Sequence, residues 1–114
     1  MNYANADMVG HTGNVEAIVR GLETVDTELG RLLAAIQEKA GAALITADHG
    51  NAEQNFDTPN DEKHTAHTTN PVPCILTLPD HKLRNGTLAD ITPTIVDLLG
   101  IQKPDSMTGS TLLS

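Results

Sequence analysis

A chain of 114 residues, 39% of them apolar, has room for one small domain and its core, and with Tyr3 and Phe56 as its aromatics that core is aliphatic and Ala-rich. A formal net charge of -8, with 7 Lys and Arg that form no run, argues against nucleic acid and anionic membranes as partners, so a phosphate group would need metal ions, helix N-termini or basic residues of another chain or domain. Cys74 alone excludes an internal disulfide, and without a charged-then-apolar leader or an apolar run near the ~20 residues of a membrane span the expected location is cytoplasmic.

In chain order, Asp7 comes first, among Asn2, Asn5 and Ala6, followed by a turn through Gly10, His11, Thr12 and Gly13. Asp7 and His11 are four apart, so they share a face on a helix or converge in a compact turn. From Asn14 the apolar positions Val15, Ile18, Val19, Leu22, Val25, Leu29, Leu32, Leu33 and Ile36 recur with helical spacing, which predicts one long amphipathic helix over 14–39. Asn14 is its expected cap and Gly41 its stop, while Gly21 and Gly30 weaken it by about 1 kcal/mol each relative to Ala and mark a candidate kink.

Residues 42–47 read as a buried strand that delivers Asp48 and His49. Neighbours in a strand point to opposite faces, so these two reach one ion only if the chain bends, and Gly50 allows the bend. The polar stretch 51–70 carries Pro59, the charges Asp57, Asp61 and Glu62, and the histidines His64 and His67. Loops of that length inside compact domains are usually functional or disordered, and the histidines favour function. His64 and His81 are expected in solvent. A second buried strand over 72–78 contains Cys74 and is expected beside the first, with the long helix packed on one face. Asn85 and Gly86 mark a turn. Thr92 and Pro93 open a short helix that stops at Gly100, and the tail docks as an extended segment. Two strands and two helices cannot cover both faces of a parallel sheet, so the inventory is that of an incomplete α/β layer structure.

Asp7, His11, Asp48, His49 and His67 give two carboxylates and three imidazoles with no cysteine, a donor set that suits Mn²⁺ or Zn²⁺ in an open catalytic site better than a closed structural zinc site. Three stretches then carry a resemblance: Asn5-Ala6-Asp7-Met8-Val9-Gly10-His11-Thr12-Gly13, Thr46-Ala47-Asp48-His49-Gly50-Asn51-Ala52-Glu53, and His64-Thr65-Ala66-His67-Thr68-Thr69-Asn70-Pro71-Val72-Pro73. With Leu88 to Thr94 and Met107-Thr108-Gly109, they closely resemble the cofactor-independent (2,3-bisphosphoglycerate-independent) phosphoglycerate mutases of the alkaline phosphatase superfamily.

The resemblance implies part of a three-layer α/β/α domain with a mainly parallel sheet. It also implies a glycolytic isomerase that interconverts 3-phosphoglycerate and 2-phosphoglycerate through a phosphoserine, with two Mn²⁺ ions or another divalent metal such as Zn²⁺. Asp7, His11 and His67 would hold one ion, and Asp48 and His49 the other. The chain departs from that family in extent. The serine nucleophile, a further Asp ligand and the substrate-binding domain are not found in it, and Ser106, Ser110 and Ser114 match no nucleophile motif. Residues 1–114 are therefore expected to be the C-terminal portion of the phosphatase-like domain, a metal-binding fragment without activity of its own and prone to self-association through uncovered apolar surface. A phosphopentomutase or another phosphatase of the superfamily is the nearest alternative, and a non-catalytic metal-binding or structural module is the alternative of another class.

Overall fold

Asn14 sits in an extended conformation and its side chain accepts a hydrogen bond from the Ala17 amide at 3.1 Å, so the long helix begins where the sequence places its cap. The structure, a computed structural model, describes residues 1–57 and 62–114; Pro59 and Asp61 of the acidic loop lie outside the described residues. The chain divides into two compact units. One is Met1–Gly41 with His49–Val72, and the other is Ala42–Asp48 with Pro73–Ser114.

The first unit is built on α1 (Asn5–Gly10) packed against α2 (Val15–Glu38). Helix α2 runs unbroken through Gly21 and Gly30. Gly21 has a packing reason to be there, since a β-carbon would stand 3.1 Å from a Val9 methyl of α1. At its C-terminus the amide of Ala40 reaches the Gln37 carbonyl and that of Gly41 the Ile36 carbonyl, each at 2.9 Å. This is a Schellman closure whose left-handed residue is Ala40 (φ 52°) rather than glycine. Gly41 is needed for closeness instead: a β-carbon there would press on Ile36. Ile18 is buried, whereas Val15, Val19 and Leu22, all on the apolar positions of the helix, are exposed. Six residues of α1 cannot cover the whole apolar stripe of a 24-residue helix. Inside the loop a short hairpin, β2 (Phe56–Asp57) and β3 (Glu62–Lys63), pairs antiparallel.

The second unit holds β1 (Leu44–Thr46) and β4 (Cys74–Leu76), neighbours as expected but antiparallel, with Leu44 opposite Leu76 and Thr46 opposite Cys74. The expected mainly parallel sheet is thus not found among the described residues, where both strand pairs are antiparallel. Nor are the strands fully buried. Ile75 is 53% exposed and Cys74 half-buried, because a two-stranded ribbon has no further strand or layer to cover both faces.

The last helix, α3 (Ile91–Leu98), is entered through a 3-10 turn at Leu88–Asp90. Thr92 lies inside α3, whose N-cap position is Asp90; the capping box belongs to the 3-10 turn before it, where Thr87 and Asp90 bond reciprocally and the Thr87 amide donates to the Asp90 carboxylate at 2.8 Å. The tail does dock as an extended segment. Leu113 bridges Leu83, the Arg84 amide reaches the Leu112 carbonyl at 2.8 Å, and Leu112 is buried. Gly109 passes so close to the Ala89 carbonyl that a β-carbon has no room. Among the described residues no helix is long and apolar enough to cross a membrane.

Candidate metal centre

Three segments of the first unit deliver its chemistry to one place. Helix α1 carries Asp7 in its first turn and is capped at its C-terminus by His11. That helical spacing brings His11 Nε2 to 3.2 Å from Asp7 Oδ1. His67 arrives from the long loop and places its Nε2 3.1 Å from the same oxygen and 3.2 Å from His11 Nε2. His49 stacks on His67, ring centroids 3.7 Å apart and 19° between planes. One donor atom each of Asp7, His49 and His67 lie within 4.8 Å of one another. The first unit therefore brings together Asp7, His11, His49 and His67. Asp48 is the last residue of its stretch in the second unit and is exposed.

What brings His49 and His67 side by side is the Gly50–Thr68 bridge, in which the Thr68 amide donates to the Gly50 carbonyl at 2.8 Å. A β-carbon at Gly50 would collide with the Thr68 hydroxyl and the Glu53 carboxylate, so the expected bend at Gly50 is also a site of close approach.

The donor chemistry can be worked out bond by bond. His11 Nδ1 lies 2.7 Å from the Thr65 carbonyl, and a carbonyl only accepts, so Nδ1 carries the hydrogen. In the neutral ring, Nε2 then turns a lone pair toward Asp7 and His67. Asp7 is fixed in turn by Asn51, whose Nδ2 donates to Oδ1 at 3.0 Å from a side chain that is 6% exposed. The three atoms Asp7 Oδ1, His11 Nε2 and His67 Nε2 form a triangle with edges of 3.1–3.2 Å. Ligands about 2.1 Å from a divalent ion stand about 3.0 Å apart at octahedral angles and about 3.4 Å apart at tetrahedral ones. The observed edges fall between those limits, so the residues fit such an ion.

Two histidines expected in solvent differ. His81 is exposed, whereas His64 is half-buried, its Nδ1 at 3.1 Å from the Gln54 carbonyl. Of the loop charges, Asp57 is half-buried in β2 and Glu62 is exposed in β3. Sequence reading gave Asn51 and Glu53 no role. Glu53 takes the Asn51 amide at 2.7 Å, the Asn70 side-chain amide at 3.0 Å and the Thr68 hydroxyl on its carboxylate. The signal was there in the motif: an acid two residues after an asparagine, in a turn whose amides need acceptors.

These bonds, led by that from Thr68, hold the Glu53 carboxyl down to about 2, from 4.5. A carboxylate depressed on folding stabilises the folded form above the unfolded value, and that contribution fades as pH falls from about 4.5 toward 2. A carbon-13 titration of the Glu53 carboxyl is expected to show its midpoint near 2; a midpoint at 4.5 would mean that the three bonds are not held in solution.

The sequence matches the profile of the Metalloenzyme superfamily over residues 1–103. It is 58% identical to a 2,3-bisphosphoglycerate-independent phosphoglycerate mutase of Synechococcus sp. (strain JA-2-3B'a(2-13)), with 99% of this chain and 23% of that protein aligned. It is 56% identical to phosphoglycerate mutase 2 of the same type from Methanosarcina barkeri (99% and 22%) and 54% identical to the enzyme so named in Wolbachia pipientis wMel (100% and 23%). The chain spans less than a quarter of the length of these relatives.

Proposed function

This chain belongs to the Metalloenzyme superfamily, and on that premise we propose that it is the metal-holding C-terminal portion of a cofactor-independent phosphoglycerate mutase. The observation that carries the reading is the 3.1–3.2 Å triangle of Asp7, His11 and His67, with His49 stacked at its side. Asp7, His11 and His67 would hold one divalent ion, and His49 with Asp48 a second. Mn²⁺ is the ion we favour, since carboxylate and imidazole without thiolate suit it. When bound, paired ions orient a phosphoryl group and neutralise charge as it passes between oxygens. The chain's own residues keep the donors in order. Thr65 fixes the His11 tautomer, Asn51 aims Asp7, and the Gly50–Thr68 bridge sets His49 beside His67.

In this reading the substrate is phosphoglycerate, which the relatives' names carry, and the location is the cytoplasm expected of a glycolytic isomerase. The nucleophile-bearing part and the substrate-binding domain belong to the remaining three quarters of such a protein. The wider domain would be three-layered with a mainly parallel sheet, in which β1 and β4 form an antiparallel member, as mixed sheets often have.

The test has two arms. Mn²⁺ added to the 114-residue chain is expected to lose its free-ion electron paramagnetic resonance signal and to recover it with chelator. Coupled turnover of 3-phosphoglycerate by the same sample is expected to stay at the buffer blank. An undiminished free-ion signal would refute the metal assignment, and turnover that survives repurification would refute the division of labour.

A further inference from the structure

Three ligand-bearing segments meet at the site, and among the candidate ligands only a hydrogen on His67 Nε2 could join Asp7 or His11 to its neighbour, a bond that an arriving ion must displace. Bonds from residues outside the ligand set carry no such conflict. Asn51 and Glu53 supply them. Asn51 is buried beside Gly10, whose missing side chain makes the room its amide occupies, and its Nδ2 donates to Asp7 Oδ1 at 3.0 Å. Glu53 stands two residues on and links two stretches of chain. Its carboxylate accepts from the Asn51 amide on one side and from Thr68 and Asn70 on the other. Thr68 directly follows His67, and Asn51 comes two residues after His49.

We infer that Asn51 and Glu53 are positioning residues that assemble the ligand group before any ion arrives. Asn51 joins the turn after His49 to the helix bearing Asp7, and Glu53 joins the same turn to the segment bearing His67. The inference deepens the metal reading and rests on it for its functional meaning, but the latch itself is a property of the metal-free protein. Charge strengthens it, since hydrogen bonds to an ionised acceptor are about twice as strong as neutral ones. Glutamine at 53 offers one acceptor oxygen where the carboxylate offers two, so it cannot serve three donors equally well.

Two measurements on the whole chain decide the matter. The first is the nuclear Overhauser contact between the His49 and His67 rings in the metal-free protein, which stacking at 3.7 Å makes strong. The Gly50–Thr68 backbone bridge remains in every variant, so the contact is expected to weaken several-fold rather than vanish in Glu53→Ala and in Thr68→Val, and to keep its full strength in Thr68→Ser, which keeps the hydroxyl. The second is Mn²⁺ affinity. Glu53→Ala and Asn51→Ala are expected to weaken it about 10- to 100-fold, the range for groups that orient ligands without touching the ion, and Thr68→Ser to restore it to within a few-fold of the parent. A ring contact of undiminished strength in a folded Glu53→Ala protein overturns the inference, as does Mn²⁺ affinity within twofold of the parent. If the parent binds no Mn²⁺ while the ring contact weakens as described, the metal reading fails and the positioning role stands.

Discussion

His67→Ala is expected to weaken Mn²⁺ binding by more than about 100-fold, beyond the range for orienting groups, because it deletes a donor atom rather than a support for one. The same loss is expected for Asp7→Ala, since Asp7 Oδ1 is the atom that both His11 and His67 approach, at 3.2 and 3.1 Å. His49→Ala distinguishes two arrangements. If one ion draws on the whole donor group, in which the donor atoms of Asp7, His49 and His67 lie within 4.8 Å of one another, its loss matches that of His67→Ala. If His49 serves a second ion, the tighter of two binding steps survives and the weaker disappears. His64→Ala and His81→Ala serve as controls and are expected to bind as the parent does, one ring being turned to the Gln54 carbonyl and the other exposed. Calorimetric titration of the six proteins checks the set, and parent-like affinity in His67→Ala would remove that residue from the site.

Thr94→Val is expected to lower the unfolding free energy of the second unit by about 2–3 kcal/mol. Thr94 is fully buried, donates to the Asp90 carbonyl at 2.7 Å and accepts from the Leu112 amide at 2.8 Å. Valine keeps the shape but leaves the Leu112 amide without that acceptor, and an unmatched buried polar group costs about 1–3 kcal/mol. The tail then loses its attachment to α3, although Asp90 still receives the Ser110 amide at 2.8 Å. Thr94→Ser, which retains the hydroxyl, is expected to cost roughly half as much, through a small cavity. Urea unfolding gives the totals, and amide exchange at Leu112 shows whether the loss is local. A Thr94→Val protein within about 0.5 kcal/mol of the parent would mean that water replaces the hydroxyl there.

The long helix was plain in the sequence, because 24 residues sample the 3.6-residue period many times and Asn14 supplies an unambiguous cap. Helix α1 was not, because six residues ending in glycine show no period, and its Asp7 and His11 suited a turn as well as a helix. Strand pairing was foreseen between the right neighbours, but apolar runs carry no sign of direction, and β1 with β4 proved antiparallel. The cap of the last helix was placed at Thr92 because Pro93 follows it. Thr87 and Asp90 matched the capping-box spacing three residues apart, and they form the bonds. The approach of Asp7 and His11 was legible from their spacing, but that His67 joins them was not, since 56 residues separate the two histidines; only the likeness of whole motifs to a known family suggested it. The neighbourhood of His49, and the work of Asn51 and Glu53 around it, needed atoms.

Those separations also set an order of events. Helix α2 needs only local contacts and forms on the sub-microsecond scale, whereas the Asn51–Asp7 and His11–His67 contacts close loops of 44 and 56 residues. Closing such loops costs chain entropy before any contact rewards it, so the site is expected to be completed late, after α1 has docked on α2. Interactions made after the rate-limiting step leave the speed of folding almost untouched and slow the reverse reaction instead. The glycine bends and the Glu53 latch thus act less as a guide to the folded state than as a brake on leaving it.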